Sequence, residues 1–379
     1  MLKNTLATLI TLALTISLSG PASAQNNQEL FKIGYGGALL GDLASYGQSG
    51  FYGLEYAVLK ANAAGGLTGR QIEVIKEDDG CDPALASAAA TKLAGSGVKV
   101  VLGHTCSGAT SSALSFYGSN MLLISPSATE VSLTASGRNP YFFRTIMRDD
   151  AQADLMVDFV KKRGFKKVAI LHDKGDYGKA LADRAKAGLD ADPDSGVKVV
   201  LFEGVTSGQP SYDAVISKLR NNEAEVLLWG GYYADASKLV TQMRGKKVDT
   251  VIVGADGLKN EAYPKMAGAA AEGSFATGPA EFSEGASPAI DAALADHKKR
   301  HNEETGPYFF YAIAAAEALF AAIEKAGGDA DLEAIKKHLQ EDTVETVMGP
   351  VRFNAEGDII GALAKMFEIK DGKFVEVEL

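Results

Sequence analysis

Between residues 31 and 256, short runs of apolar, β-branched residues alternate with longer stretches whose apolar positions recur at helical spacing. The runs FKIGYGG (31–37), IEVIKE (72–77), VKVVLG (98–103) and MLLIS (121–125) read as strands, and segments 46–64, 83–95 and 108–118 between them as helices. After YFFRT (141–145) the pattern restarts. KKVAILHD, VKVVLFEG, AEVLLWGG and DTVIVGAD are the next strands, with helices expected near 149–163, 177–189, 211–221 and 234–245. This alternation predicts parallel sheets covered by helices on both faces, in two successive α/β units. The tail is less regular. Helices are expected over 286–304, 308–326 and 330–341, with Pro307 and GGD as punctuation, followed by two strand-like pieces, GPVRF and LAKMFEI, flanking NAEGD, whose Gly suits a turn.

The first 24 residues stand outside this pattern. Lys3 gives a basic start, residues 5–18 form an apolar stretch, and PASAQ ends it with small residues at Ala22 and Ala24, the layout of a secretory leader cleaved after Ala24. The mature chain would begin at Gln25, without the cysteine that carries a lipid anchor. No later segment has the eighteen or more apolar residues of a membrane span, so a soluble, exported protein is expected. The net charge is −10 with acids and bases interspersed, which argues against a nucleic-acid partner because such binders show a basic stripe. Export also bears on the two cysteines, Cys81 and Cys106. A disulfide is the bland reading in an oxidising compartment, and a nucleophilic thiol in HTC is the competing one. Pairing would contribute about 3 to 4 kcal/mol through loop-closure entropy.

Ligands in parallel α/β sheets sit off the carboxyl ends of strands, where loops lead into helix starts. That rule selects GYGGALLGDLASYG (34–47), GHTCSGAT (103–110), SPSATE (125–130), WGGYYAD (229–235) and GADG (254–257), which are rich in Gly, Ser, Thr and Tyr and carry the acid Asp256 near the end of a strand. Hydroxyls of Ser107 and Thr129, with the unpaired N–H groups of their loops, suit an anion. Alternatively Ser107 caps its own helix. Asp256 either forms a turn with Gly257 or stands as a buried carboxylate in need of a cation. Tyr46, Tyr232 and Tyr308 read equally as core aromatics or as pocket walls.

Catalytic signatures are missing. There is no G-x-S-x-G elbow, and GYGG at 34–37 has Leu39 where a dinucleotide fingerprint needs its third glycine. His297 and His301 sit at helical spacing without the glutamate of a zinc protease, and the acids of KEDDGCD do not follow a calcium loop. His104 is expected to be packed or hydrogen-bonded. No metal or cofactor is called for.

The segments SYGQSGFYGLEYAV, ANAAGGLTGRQIEVIKEDDGCDP, GHTCSGATSSALSFY, LLISPSATEVSLTASG, FFRTIMRDDAQ, LHDKGDYG, EVLLWGGYYADA and VETVMGPVRFNAEGD, in this order across nearly the whole mature chain, resemble the Leu/Ile/Val-binding family, the periplasmic branched-chain amino-acid receptors of ABC transporters. The resemblance implies the type I periplasmic binding fold, two Rossmann-like lobes joined by three hinge crossings, with lobe 1 at 25–147 and 278–361 and lobe 2 at 148–277 and 362–379. It also implies a Cys81–Cys106 disulfide. Ser107 would take the ligand's carboxylate with Thr129 and the Ser127 backbone, and Ser127 and Thr129 would also touch the ammonium. Tyr232 would reach in from lobe 2, and Tyr46 and Tyr308 would line the side-chain pocket. Asp256 departs from the family's Glu by one methylene. The implied partners are an amino acid and an inner-membrane permease, the protein itself acting as a monomer without catalysis. An exported α/β hydrolase or lyase, and a soluble sensor subunit for a receptor kinase, are the alternatives.

Overall fold

The computed structural model describes residues 29–379; the leader expected over 1–24 lies outside them. The first α/β unit contains β1 (Phe31–Gly37), α1 (Ala44–Ala63), β2 (Ile72–Asp78), α2 (Pro83–Gly95), β3 (Val100–Leu102), α3 (Ser107–Tyr117), β4 (Leu122–Ser125) and β5 (Phe142–Arg144). The second contains α4 (Asp149–Arg163), β6 (Lys167–His172), α5 (Asp176–Asp190), β7 (Lys198–Gly204), α6 (Asp213–Asn221), β8 (Val226–Gly230), α7 (Tyr233–Gly245), β9 (Val251–Gly254), α8 (Ala262–Ala267) and β10 (Phe275–Gly278). The tail supplies α9 (Pro288–His301), α10 (Phe309–Ala326), α11 (Leu332–Glu341), β11 (Val344–Thr346), β12 (Gly349–Val351), β13 (Lys365–Lys370) and β14 (Lys373–Val377).

Strands β2-β1-β3-β4-β5 form one parallel sheet in that order. The other large sheet runs β14-β13-β10-β9-β8-β6-β7, parallel from β10 to β7 and extended by antiparallel β13 and β14. The chain passes between the sheets three times, after β5, after β10 and between β12 and β13, giving two Rossmann-like lobes joined by three crossings. Strand order reverses between β1 and β3 in one sheet and between β6 and β8 in the other. Both reversals open a crevice at the carboxyl edge, where ligands sit.

Local chemistry explains most boundaries. Asp82 caps α2 by accepting from the Ala84 and Leu85 amides, and Pro83 fills a first-turn position that needs no donor. Ser287 and Pro288 start α9 in the same way, and Asn302 ends it in a left-handed conformation that Asn tolerates. α10 is buried along most of its length because alanines let neighbours close in. Its partner α1 contributes Gly53, where a Cβ would fall 2.3 Å from the Phe309 carbonyl oxygen.

The two strand-like pieces of the tail lie apart. GPVRF and LAKMFEI do not share a sheet: β12 pairs with β11 in a small hairpin, whereas β13 joins the second large sheet. Strands β10 and β14 carry no strong periodic signal. β10 is the four-residue FATG, and β14 is an edge strand with one side chain buried.

Candidate ligand-binding site

The first wall is built from the ends of β3 and β4. Cys106 is the N-cap of α3 in extended conformation and is disulfide-bonded to Cys81, with Cα atoms 5.3 Å apart. Behind this staple, His104 is fully buried, Nδ1 lying 2.6 Å from Asp79 Oδ2 and Nε2 3.0 Å from the Tyr117 hydroxyl. The backbone carbonyl of His104 also accepts from the hydroxyls of Thr110 at 3.1 Å and Ser125 at 2.9 Å. The turn into α3 is thus fixed from several directions, and His104 is engaged at both nitrogens.

Ser107 does not cap its own helix. Its Oγ instead accepts from the Glu130 amide at 3.3 Å, tying the β3 loop to the β4 loop. The Ser127 hydroxyl donates to the Thr105 carbonyl at 2.8 Å, a second tie between the same loops. Arg144, buried on β5, donates from Nη1 to the carbonyls of Ala128 at 3.0 Å and Glu130 at 2.8 Å, on either side of Thr129. Its Nε is held by Asp358 Oδ1 at 2.6 Å. Thr129 is therefore presented by a loop clamped from behind.

The second wall comes from the ends of β6, β8 and β9. Asp256 is 3 % exposed. Its Oδ1 accepts from Gln152 Nε2 and the Tyr177 hydroxyl, both at 2.8 Å, and its Oδ2 accepts from the Tyr308 hydroxyl at 2.9 Å. The cation expected beside this carboxylate is replaced, within the described residues, by three neutral donors. Gly257 follows it where a Cβ would meet the Gly231 carbonyl oxygen and the Tyr177 ring, each at 2.8 Å, so the residue after the acid serves close packing as well as the turn.

A second acid stands nearby. Gln152 Nε2 also donates to Asp149 Oδ1 at 3.0 Å, so one amide bridges two buried carboxylates. Burial pushes the Asp149 carboxyl well above its ordinary range, and the Asp256 charge adds to the effect. Burial also raises Asp256, against the opposing hydrogen bonds from Gln152, Tyr177 and Tyr308. Asp149 Oδ2 and Thr129 Oγ1 are both buried without a hydrogen-bond partner among the described residues. The Thr129 hydroxyl lies close enough to influence the Asp149 carboxyl but outside bonding geometry.

The walls meet around a cavity of about 10 Å³, room for a single water. All seven residues singled out from the sequence line it: Tyr46, Ser107, Ser127, Thr129, Tyr232, Asp256 and Tyr308. Sequence reasoning missed Thr105 and Tyr177, which also line it, and the supporting pair Asp149 and Gln152. Tyr177 was within reach of the strand-end rule, which selects the loop after β6 as readily as the loop after β8. The tyrosines form one group: ring centroids of Tyr46 lie 5.6 Å from Tyr308 and 5.9 Å from Tyr232, and Tyr232 stacks on Tyr177 at 5.2 Å. Across the cleft, Tyr46 Oη donates to the Gly257 carbonyl at 2.5 Å and Asn260 Nδ2 to Ser45 Oγ at 2.9 Å.

Chemically, the arrangement presents groups that can hold a ligand. Ser107 and Ser127 are bonded to backbone groups rather than to an imidazole, and His104 is committed to Asp79 and Tyr117. What remains is hydroxyl groups and a helix start on one side and a carboxylate on the other.

Comparisons with known proteins place the chain in a family. The chain is 34 % identical over 346 residues to the leucine-, isoleucine-, valine-, threonine- and alanine-binding protein of Pseudomonas aeruginosa, covering 91 % of each. It is 32 % identical to the Leu/Ile/Val/Thr-binding protein of Salmonella typhimurium, over 93 % of this chain and 94 % of that one. Among solved structures, the branched-chain amino acid transporter substrate binding protein of Streptococcus pneumoniae in complex with isoleucine superposes with a TM-score of 0.80 at 28 % identity, covering 92 % of this chain and all of that one. A periplasmic binding protein family profile matches residues 31–373. With two hinged lobes, a cleft at both topological reversals and this match along nearly its whole length, the chain belongs to the periplasmic binding protein family.

Proposed function

We propose that this protein is the solute-binding component of an ABC amino-acid importer, exported to the periplasm after cleavage behind Ala24 and working as a monomer. The observation that carries this reading is the opposition of Ser107, Ser127 and Thr129 to Asp256 across one interlobe cavity. Donors of the first wall hold the α-carboxylate and Asp256 answers the ammonium. Lobe 1 (25–147 and 278–361) and lobe 2 (148–277 and 362–379) close on the zwitterion, and exclusion of water strengthens both charge-assisted contacts. A molecule lacking either charged group leaves a buried partner unsatisfied, which costs several kcal/mol and rejects it. The closed form is what the membrane permease engages. The names of the relatives support the amino-acid class.

The test is a thermal-shift screen with the common amino acids, followed by calorimetry. A ligand that binds only the folded state raises the melting temperature. The expected outcome is a raised Tm with one or a few amino acids and none with the matching amines or carboxylic acids. A protein indifferent to every amino acid overturns the proposal.

A further inference from the structure

Asp149 opens α4 just after the first crossing and is tied to both walls of the cleft. Its amide donates to the Thr129 carbonyl at 3.0 Å on one wall. Its side chain is joined to the other through Gln152, whose Nε2 donates to Asp149 Oδ1 at 3.0 Å and to Asp256 Oδ1 at 2.8 Å. The orientation of that amide is fixed, because Gln152 Oε1 accepts from the Asp256 amide at 2.9 Å and from the Thr277 hydroxyl at 3.0 Å. Both N–H bonds of Gln152 are therefore spent on carboxylates, and the two acids stand two hydrogen bonds apart.

The acids are unequally served. Asp256 accepts from three side chains, whereas Asp149, 2 % exposed, accepts from one and has Oδ2 buried with no partner among the described residues. The ionisable neighbours of Asp149 are Glu130 on the β4 loop, Arg144 on β5, Arg148 beside it in the chain, Asp256 beyond β9, and the phenols of Tyr177 on α5 and Tyr232 before α7. Neither arginine bonds to it: Arg144 is held by Asp358, Thr134 and two carbonyls, and Arg148 by Asp150 and Asp358. Two like charges this close and out of water do not both ionise, so the pair keeps a proton, and the better-served Asp256 leaves it to Asp149.

We infer that capture of an amino acid expels this proton: Asp149 is a neutral acid in the ligand-free protein, and the ammonium docking at Asp256 sends the proton from Asp149 Oδ2 to solvent. The ammonium cancels the Asp256 charge, which together with burial is what opposes ionisation of Asp149. The O–H bond of the acid breaks, its electron pair stays on the carboxylate, and buffer takes the proton. This inference rests on the amino-acid reading above. It makes Asp149 a positioning residue that acts through Gln152 and Asp256, and it makes binding weaken as the surroundings become acidic.

The test is calorimetry of the mature chain with L-alanine, L-threonine and L-leucine, or any other amino acid that raises its melting temperature, between about pH 6 and pH 8. Each titration is repeated in buffers of low and high ionisation enthalpy, so that the dependence of the heat on the buffer counts the protons released. The wild type is expected to release a proton on binding and to lose affinity on acidification by up to about tenfold per pH unit. Asp149→Asn, the neutral isostere, is expected to bind with heats independent of the buffer and with a flat pH profile. A residue that only supports the fold would change affinity without moving the proton count. Wild-type heats independent of the buffer overturn the inference, as does proton release retained in a folded Asp149→Asn, or a folded Asp149→Asn that binds nothing. Should that variant fail to fold, the wild-type proton count decides. Failure of every amino acid to bind the wild type overturns the proposed function instead, which separates the two failures.

Discussion

The Tyr46 hydroxyl donates to the Gly257 carbonyl oxygen at 2.5 Å, joining α1 of one lobe to the strand end that carries Asp256 in the other. The bond exists only when the lobes are closed, so it contributes to closure and not to either lobe alone. A net hydrogen bond of this kind is worth about 0.5–1.5 kcal/mol. Tyr46→Phe is expected to weaken ligand binding by about two- to tenfold, with faster dissociation in stopped-flow measurements. Unchanged affinity and dissociation rate would remove this bond from the closure mechanism.

Asp256→Ala is expected to lower amino-acid affinity by about tenfold or more, since the ammonium then has no carboxylate facing it in the cleft. Calorimetry reads the effect directly. Affinity equal to the wild type would place the ammonium elsewhere.

Much of this was legible in the chain itself. Strand runs and Gly/Ser/Thr-rich strand ends fixed the crevice, because a parallel α/β sheet leaves few places for a ligand, and Ser107, Thr129 and Asp256 follow from that rule. Asp149 and Gln152 were not legible, since both lie in the first turn of α4 and their role depends on a contact to Asp256, just beyond β9 and more than a hundred positions away. The fate of Ser107 was open for the same reason. Only the fold brings the Glu130 amide to its hydroxyl in place of its own helix amides. β14 was hard to place because its antiparallel edge pairing is set by the sheet it joins.

The two acids predict a pH dependence. Burial raises both Asp149 and Asp256 above ordinary aspartate. A carboxyl with a raised native pKa contributes stability that is present below its unfolded value of about 3.9 and lost as pH rises through the native value. Ligand-free protein should therefore gain stability from these groups as pH falls from neutral toward that value, and Asp149→Asn should show less of the gain in melting curves taken across the range. Over the same interval the Tm increase produced by ligand should shrink, because protonating Asp256 removes the charge that answers an ammonium. A ligand-induced shift that grows on acidification would contradict this assignment.

Native protein should present no free thiol, since Cys81 and Cys106 are joined. Replacing both by serine is expected to cost about 3 to 4 kcal/mol in chemical denaturation. Thiol titration before and after unfolding with reductant checks the first point, and the shift in denaturation midpoint checks the second.

Arg144 and Asp358 form a buried ion pair that also supports the Thr129 loop. Asp358→Ala leaves the guanidinium without its carboxylate and is expected to cost about 3–5 kcal/mol of stability. Arg144→Met with Asp358→Leu, removing both charges, should recover part of that loss. Ligand affinity should nevertheless stay reduced in the double variant, because the Ala128 and Glu130 carbonyls have lost their clamp.

The interlobe cavity, with space for a single water behind a cleft latched by Tyr46 and Asn260, also bears on timing. Solute cannot reach the space between Thr129 and Asp256 by diffusion through such a gap. Entry has to wait for the latches to part, so at high solute concentration the observed capture rate should level off at the frequency with which the halves swing open.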